Sequence, residues 1–441
     1  MASVACPPIA NKSNASSLID QKLTDELARQ CGYRWREVKL GPGQTLHHFG
    51  WQILMGNVTC DAVGHHANGG FTAAAYCQAR QRLPMEVLSA VSDRIIATLL
   101  ARFKSPQSQW HGHRVFRIDG SSAMMPDSPA LRAHFGCSSK QKPGCGYPTT
   151  HLLLLTGPGG VALDLICSPL RTGDMTHAAK THLRLEPGDL LLGDGQFGGW
   201  GHLHHLSGQQ LHGLFPAHHS RKIAWGRNGD HGCNRRFVRT LGYRDQLVEY
   251  RKPAKRPTWM TAGQFAAAPE WLLVRELQRE VRVGGVRRKM IVVTTLLDPQ
   301  AYPAKQVVRL LGERWLIETQ LRSMKTTMGM ERLRCQTVEG VRKELLMYMI
   351  VYNLVRLLIL EAAERQKVPP ERISFADALA RLRHGSAQVA WVDLEVVPLR
   401  PDRVEPRVVK RRPKAYPFMT KPRQVLREQI RRDRKTVKAL A

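Results

Sequence analysis

The chain has 441 residues, a length that predicts two to four structural units rather than one. Apolar residues make up 43% of it, which is enough to bury a sizeable core. Lys and Arg number 66 against 36 acidic residues, so the formal net charge is +30 and the expected partner is a polyanion. Anionic lipid is the alternative partner, but the sequence shows neither an amphipathic anchor nor a lipidation motif.

The distribution of cysteines and the hydropathy of the chain narrow the expected class of protein further. The nine Cys are scattered singly without a C-x2-C pair, so neither a zinc ribbon nor a redox motif is predicted. Their odd number and the lack of a signal peptide favour a reducing cytosol. The longest apolar run, residues 345–360, contains Asn353 and Arg356, and it predicts a buried helix rather than a membrane span.

The N-terminal part of the chain has the periodicity of helices, after a loose tail over residues 1–16. Helices are predicted over residues 17–31 and 44–55, from a cap at Thr72 to Arg82, and from Pro84 to Arg102. Two short helices joined by a turn form either a DNA-reading unit or a plain bundle, and the sequence leaves both open. A DNA-reading unit would expose Gln78, Arg80 and Arg82.

Strand patterns begin at Val115. Val115, Arg117 and Asp119 share one face of a strand that we expect Gly120 to break. A hairpin is predicted from 151–156 to 161–167, followed by a polar helix over 175–185. A short buried strand then runs from Asp189 to Asp194, so each of two strands is predicted to end in an aspartate.

The stretch between Asp194 and Glu318 is too long for one crossover connection. Strands are predicted within it over residues 222–225, 235–241, 246–250, 271–283 and 286–297, with a hairpin turn at Gly284-Gly285. We expect an inserted β-rich subdomain whose last strand, from Met290 to Leu297, rejoins the central sheet.

Residues 311–325, LGERWLIETQLRSMK, are predicted to form one helix with a charged stripe. Arg314, Glu318 and Lys325 lie at intervals of four and seven residues, which places all three on one side. The neighbouring apolar stripe is Ile317, Leu321, Met324 and Met328. An ordinary surface helix, with Glu318 paired to Arg314 or Arg322, is the alternative interpretation of this stretch alone.

The spacing R-x3-E-x6-K in this helix resembles the signature of DDE transposases of the bacterial IS-four group. The segments IDGSS around Asp119 and LLLGDGQF around Asp194 are also similar to that family, as is the run KTTMGMERLRCQTVEGVRKELLMYMIVYNLVR from Lys325. The likeness extends from about residue 71 to about residue 423. The chain departs from the family in having Leu311 where a Tyr is usual, and Gly195-Gln196 where Asp194 is usually followed by x-Gly.

The resemblance implies an α/β fold, a ribonuclease-H-like mixed sheet flanked by helices. The expected units are a helical N-terminal DNA-binding domain over 1–105, a catalytic core over 106–199 and 296–370, an inserted β-subdomain over 200–295, and a basic region over 371–441. From residue 397 to the end there are 15 Lys and Arg and 4 acidic residues, for a net charge of 15 − 4 = +11. That segment is either an arm that lies on phosphates or a solvated tail.

The resemblance also implies the site. Asp119, Asp194 and Glu318 are the expected catalytic residues and ligands of Mg²⁺, for which Mn²⁺ is able to substitute. Other acidic candidates lie near two of them: Asp127 in a Pro-Asp-Ser-Pro turn, and Asp164 and Asp189 within or beside strands.

Cations of the signature helix and two aromatic residues complete the expected site. Arg314, Lys325 and Arg322 are the expected phosphate contacts. Trp225 and Trp259 are candidates for stacking on an unpaired base, with packing inside the subdomain as the alternative. A group of four histidines has no compensating ligands and is not predicted to bind zinc: His202, His204, His205 and His212.

The expected function is DNA transposition. The resemblance implies an enzyme that binds terminal inverted repeats, cleaves the element ends and joins the 3′-hydroxyl to target DNA, as a homodimer on paired ends. We expect it in the bacterial cytoplasm beside the nucleoid, without membrane contact. A structure-specific nuclease of the same fold and a catalytically inactive DNA-binding derivative are the alternatives. Leu311 is expected to face the site, and Leu311→Tyr is expected to be tolerated.

Overall fold

The computed structural model describes residues 20–36, 38–138, 142, 144–221, 223–227, 234–283, 286–384, 394–398 and 421–440. Its helices are α1 Gln21–Gln30, α2 Pro42–Leu54, α3 Cys60–His66, α4 Ala73–Arg82, α5 Met85–Leu100, α6 Pro129–Phe135, α7 Met175–Thr181, α8 Trp200–Gly208, α9 Ala262–Ala267, α10 Ala304–Gly312, α11 Trp315–Arg322, α12 Val338–Gln366, α13 Phe375–His384 and α14 Arg423–Leu440. Its strands are β1 Val115–Met124, β2 Thr149–Thr156, β3 Ala162–Pro169, β4 Leu190–Leu192, β5 His212–Pro216, β6 Arg235–Gly242, β7 Asp245–Arg251, β8 Trp271–Val283 and β9 Val286–Thr294. The predicted tail over 1–16, the turn at Gly284-Gly285 and most of the basic segment after residue 397 lie outside the described residues.

The N-terminal helices α1 to α5 form a bundle against α12. Thr72 caps α4 as predicted, with its Oγ1 accepting a hydrogen bond from the backbone N–H of Ala75. A DNA-reading unit would expose Arg80, but the structure partly buries this residue. Its guanidinium lies 3.9 Å from the centroid of the Phe49 ring and donates to Gln52 Oε1 and to Cys335 Sγ. Arg80 therefore joins the bundle to the segment before α12.

The described strands form one sheet in the order β3-β2-β1-β4-β5-β9-β8-β7-β6. Its first five strands have the ribonuclease-H-like arrangement: β1, β2 and β3 are antiparallel neighbours, and β4 and β5 run parallel to β1. The predicted fold class is thus confirmed. The prediction that Gly120 ends the first strand was wrong, because β1 continues to Met124 and pairs with β2 throughout.

Strands β6 to β9 extend the same sheet rather than forming a separate one. β9 pairs with β5 at Leu214 and Thr294, so the last strand of the inserted segment rejoins the central sheet as predicted. β5 itself lies beside β4, and the core sheet therefore continues beyond residue 199. The strand expected over 222–225 is not formed by residues 223–225, and Lys222 lies outside the described residues.

Helix α12 is the central helix of the described core. By length and composition it is long and apolar enough to cross a membrane, but 89% of its most apolar 18-residue window is buried. Asn353, in the middle of that run, exchanges two hydrogen bonds with the backbone of Ala162 at the start of β3. This contact satisfies a polar side chain inside the core, and it explains why an apolar helix carries an asparagine.

Candidate active site

Asp119 lies on β1, and Asp194 lies two residues beyond the end of the neighbouring strand β4. Arg117 on β1 pairs with Leu192 on β4 in parallel register, and each aspartate follows its strand residue by two positions. Because neighbouring strands are about 4.8 Å apart, the two carboxylates emerge next to each other. Asp119 Oδ1 accepts from the N–H of Gly120 at 2.9 Å, and Asp194 Oδ1 accepts from the N–H of Gln196 at 2.9 Å. Each carboxylate keeps its second oxygen without a hydrogen bond to the described residues.

Glu318 lies on α11, which packs over the same face of β1. Two contacts fix that packing: Arg117 on β1 bonds to Glu313 before α11, and Lys325 Nζ donates to Ser121 Oγ at 3.0 Å. Since side chains alternate along a strand, Asp119 shares this face with Arg117 and Ser121. The carboxylate of Glu318 accepts from Arg314 Nη2 at 2.9 Å and is largely exposed.

The charges of Asp194 and Glu318 act on the ionisation of Asp119. Burial raises the pKa of Asp119 to about 6; the Gly120 N–H and Arg314 oppose this rise, and the charges of Asp194 and Glu318 add to it. In the part of the chain that the structure describes, no three His, Cys, Asp or Glu side chains are close enough to hold a metal ion. The oxygen donors nevertheless suit a hard divalent cation, since two carboxylates have spare oxygens and their mutual repulsion would fall on binding one. To bind that cation, the Glu318 carboxylate would have to give up its hydrogen bond from Arg314.

The other acidic candidates lie outside the proposed site, in ion pairs or on an edge strand. Asp127 lies 2.5 Å from Arg132 Nε, whose hydrogen bond is the main cause of its lowered pKa. Asp189 accepts two hydrogen bonds from Arg114, at 2.7 and 2.8 Å. Asp164 lies on the edge strand β3, and burial raises its pKa. None of these three is among the main charges that shift the pKa of Asp119, which include those of Asp194 and Glu318.

Comparison with known proteins tests the predicted resemblance. The model of the family described as "Transposase DDE domain" matches residues 110–354, more than half of the chain, and this range includes Asp119, Asp194 and Glu318. The chain belongs to this transposase family. The predicted resemblance is thereby confirmed.

Two curated relatives come from Escherichia coli (strain K12). "Transposase InsG for insertion sequence element IS4" is 28% identical over 382 residues, covering 79% of this chain and 78% of that protein. "Putative transposase InsZ" is 32% identical over 108 residues, or 23% of this chain and 34% of the relative. Among solved structures, a piggyBac transposase synaptic complex with hairpin DNA aligns with 83% of this chain and 79% of that chain, at 9% identity and a TM-score of 0.41.

In this transposase the signature segment is not the single helix that the sequence predicted. α10 ends at Gly312, α11 begins at Trp315, and Lys325 lies in a π-helical turn over Ser323–Thr327. The apolar stripe is as predicted, with all four side chains buried: Ile317, Leu321, Met324 and Met328.

The break in the signature segment corrects the expectation for Leu311, which is 3% exposed and does not face the site. It belongs to a separate core cluster with Leu192, Leu214 and Leu277. Leu311 is therefore a packing residue.

Trp259 lines a cleft of about 870 Å³, with Gln196, Trp200, Arg221 and Tyr250 among its other lining residues. Trp225 is half-buried and is not among the described residues that line this cleft. Of the two candidate tryptophans, Trp259 thus shares a cleft with Gln196, whose backbone N–H bonds to Asp194. The stacking role of Trp259 stays a prediction.

The histidine-rich stretch is a packing feature. His202 Nδ1 lies 2.8 Å from the carbonyl of Phe197, and its Nε2 lies 3.0 Å from His182 Nε2. Burial lowers the pKa of His202 to about 4 and that of His182 to about 2, so both rings are neutral at pH 7. Within the described residues these rings join no metal-binding group.

Sequence reasoning did not identify Arg117, Ser121 and Glu313 as part of the site. The signal for Arg117 was its shared strand face with Asp119, which indicates a buried arginine next to the acids. Ser121 carries the same signal two residues further on. Glu313 depends on the break between α10 and α11, which the periodicity of the segment does not show.

Proposed function

We propose that Asp119, Asp194 and Glu318 are the catalytic carboxylates of this transposase and that they hold Mg²⁺, with Mn²⁺ as a working substitute. The observation that supports the proposal is the parallel register of β1 and β4, in which Arg117 pairs with Leu192 and each aspartate follows two residues later. When bound, a pair of such ions supplies an activated water or hydroxyl and stabilises the leaving oxygen of a phosphodiester.

The protein's own residues orient this chemistry. The Gly120 and Gln196 N–H groups fix one oxygen of each aspartate and leave the other directed to the site. Arg314 keeps the Glu318 carboxylate on the correct face of α11 until the site is loaded, and then becomes available to a phosphate. Lys325 is positioned by Ser121 on the same face, and Arg322 is exposed at the end of α11. These three cations are our proposed contacts to the DNA phosphates.

Double-stranded DNA is the proposed partner, as terminal inverted repeats and as target. The formal net charge of +30 supports a polyanion, and it predicts binding that weakens steeply with salt. Pairing of two ends implies a homodimer on DNA. We place the activity in the bacterial cytoplasm at the nucleoid.

The domain roles are part of the same proposal. Residues 1–105 are the proposed DNA-binding domain, with Gln78 and Arg82 exposed on α4. Residues 106–199 and 296–370 are the proposed catalytic core. Residues 200–295 form the inserted segment, although β5 within it lies in the core sheet. The last unit is the basic region 371–441.

A strand-transfer assay tests the proposed function. Duplexes copied from the DNA that flanks the coding sequence are supplied pre-cleaved, with free 3′-hydroxyl ends, together with a supercoiled plasmid and Mg²⁺. We expect joined products that appear as relaxed or linear plasmid carrying the labelled end. Cutting without joining would indicate a structure-specific nuclease, and neither reaction would indicate an inactive DNA-binding derivative.

A further inference from the structure

Helix α14 is fixed to the body of the protein by its first turn. Pro422 packs on Gly144 so closely that a Cβ there would lie 2.9 Å from the proline ring. Arg423 Nη1 donates to the carbonyl of Gly146 at 2.9 Å, and its guanidinium lies 3.4 Å from the centroid of the Tyr147 ring. Arg423 also lies 3.5 Å from Asp127. The orientation of the helix is therefore set at its start.

The described remainder of α14 is exposed and strongly basic. Residues 427–434 are all exposed, and the segment from Arg423 to Leu440 contains seven Lys and Arg against two acidic residues. Arg423, Arg427 and Arg431 follow one another at intervals of four, so like charges stack along one side and repel. A polyanion on that side would relieve this repulsion.

Between α14 and the body of the protein lies a groove of about 620 Å³. Its lining includes Arg132, Arg427 and Arg431, with Asp127 and Glu428 as its acidic members. Asp127 is already neutralised by Arg132, which donates to it, and by Arg423. The cations that the groove offers to an anion are therefore on the helix side, Arg427 and Arg431.

Strand β1 connects the proposed active site to the groove along the chain. β1 runs from Asp119 past Ser121, which holds Lys325, to Met124, which bridges to the exposed Arg332. Asp127 follows directly. The five steps along the strand from Asp119 to Met124 span about 17 Å. That length is about five base pairs of duplex along its axis.

We propose that DNA held at the active site continues past Arg332 and lays one phosphate strand across this groove, against Arg427 and Arg431. This inference rests on the proposed function in that it takes DNA as the substrate at Asp119. The occupant is a DNA duplex, because phosphates at regular spacing match a row of arginines on a helix face. The surface binds phosphates whatever the DNA sequence, and it serves to align the duplex.

The test is the salt dependence of DNA binding by the full-length protein. A labelled 30-base-pair duplex is titrated by fluorescence anisotropy at several salt concentrations, for wild type and for Arg427→Ala/Arg431→Ala. Each phosphate contact contributes about −0.9 to the slope of log K against log salt, so the double variant should have a slope less steep by about 1.8. Arg239→Ala/Arg287→Ala is the matched control, since it removes two exposed arginines from strands of the inserted segment, outside the proposed DNA-binding domain and catalytic core. It should keep the wild-type slope.

Each outcome decides the matter. An unchanged slope for Arg427→Ala/Arg431→Ala, or the same loss in the control, would overturn the proposal. The proposal would also be overturned if Ile430→Glu converted a dimer into a monomer in the absence of DNA. The surface around Ile430 would then bind a second copy of the chain. If wild type joins DNA but the slope does not change, only the groove assignment fails. If the slope changes but no metal-dependent joining occurs, the proposed function fails and the DNA-binding groove stands.

Discussion

Arg117 on β1 donates two hydrogen bonds to Glu313, and this pair joins the strand of Asp119 to the helix of Glu318. Arg117 Nε donates to the backbone carbonyl of Glu313 at 3.2 Å, and Nη2 donates to its carboxylate at 3.0 Å. The arginine is 6% exposed, and burial lowers its pKa. Since Arg117 precedes Asp119 by two residues, the pair sets where α11 lies relative to the two aspartates.

Arg117→Lys should therefore loosen the site without removing a charge. A lysine cannot make both bonds of the planar guanidinium fork. By analogy with groups that position metal ligands, we expect cleavage to slow by about 10- to 100-fold, with a higher Mg²⁺ concentration needed for half-maximal rate. The measurement is the rate of DNA nicking against Mg²⁺ concentration, with DNA affinity measured alongside and expected to change little.

Arg114→Lys is the matched control for that measurement. Arg114, just before β1, makes a comparable two-bond pair with Asp189, but it does not connect to α11. We expect it to lower thermal stability and to leave the Mg²⁺ dependence as in wild type. An equal shift in both variants would mean that Arg117 stabilises the fold in general and does not position Glu318.

Leu311→Ala should act on stability. Its side chain is buried between β4, β5 and β8, so truncation should cost about 2–5 kcal/mol of the free energy of unfolding. Leu311→Tyr should also destabilise, by about 1–3 kcal/mol, because the added atoms have no space in a packed core. This expectation replaces the sequence-based one, that Leu311 faces the site and that Leu311→Tyr is tolerated. Urea denaturation followed by circular dichroism measures both.

Leu183→Ala is the control for the Leu311 variants. Leu183 is 84% exposed, so its truncation should change stability by no more than about 0.5 kcal/mol. If Leu311→Tyr kept wild-type stability and raised the yield of processed ends, the buried position of Leu311 would be contradicted.

The His182–His202 pair predicts an acid-sensitive core. Burial lowers the pKa of His202 from 6.5 to about 4, so below pH 6.5 the unfolded chain takes up a proton that the folded chain refuses. The neutral His202 ring therefore contributes to stability above pH 6.5, and this contribution is lost as the pH falls towards 4. The free energy of unfolding should fall by on the order of 3 kcal/mol from this ring alone. The free energy of unfolding should fall less over this range in His202→Gln than in wild type. An equal fall, or the same change in the exposed-site variant His65→Gln, would refute this prediction.

Arg314→Ala and Lys325→Ala should impair processing of DNA ends at saturating DNA. Loss of a cation that stabilises charge at the scissile phosphate should slow the reaction by about 10²–10³-fold, by the scale seen for charge-stabilising donors. The reaction is followed on a gel as nicked and fully processed ends over time. Arg309→Ala, an exposed arginine on the preceding helix α10, should process ends at nearly the wild-type rate. Equal rates for Arg314→Ala and Arg309→Ala would remove Arg314 from the site.

The sequence predicts elements well where local signals and tertiary contacts agree. The bounds of β8 and the cap at Thr72 were predicted correctly, because alternation and capping chemistry operate within a few residues. Gly120 has a local preference for a break, but pairing with Leu153 keeps it in β1, and the Asp174 carboxylate occupies the space a Cβ would need. Here tertiary structure overrides propensity.

The parts of the site that the sequence did not show depend on contacts between distant segments. The break between α10 and α11 accompanies the bond from Arg117 to the Glu313 carbonyl, 196 residues apart. A DNA-reading unit would expose Arg80, but its guanidinium donates to Cys335, 255 residues further along the chain. Periodicity describes one helix at a time, so it cannot predict either contact.

The most direct test of the account is the Mg²⁺-dependent cleavage rate of three single variants, Asp119→Asn, Asp194→Asn and Glu318→Gln. Each keeps the shape of the side chain but removes its negative charge. A fourth variant, Asp164→Asn, replaces an acid on β3 outside the proposed site. We predict that the three site variants bind DNA almost as wild type does, since basic residues dominate affinity, and cut none of it, while Asp164→Asn cuts normally. Full cleavage by any one of the three in Mg²⁺, with wild-type DNA binding, would contradict the assignment.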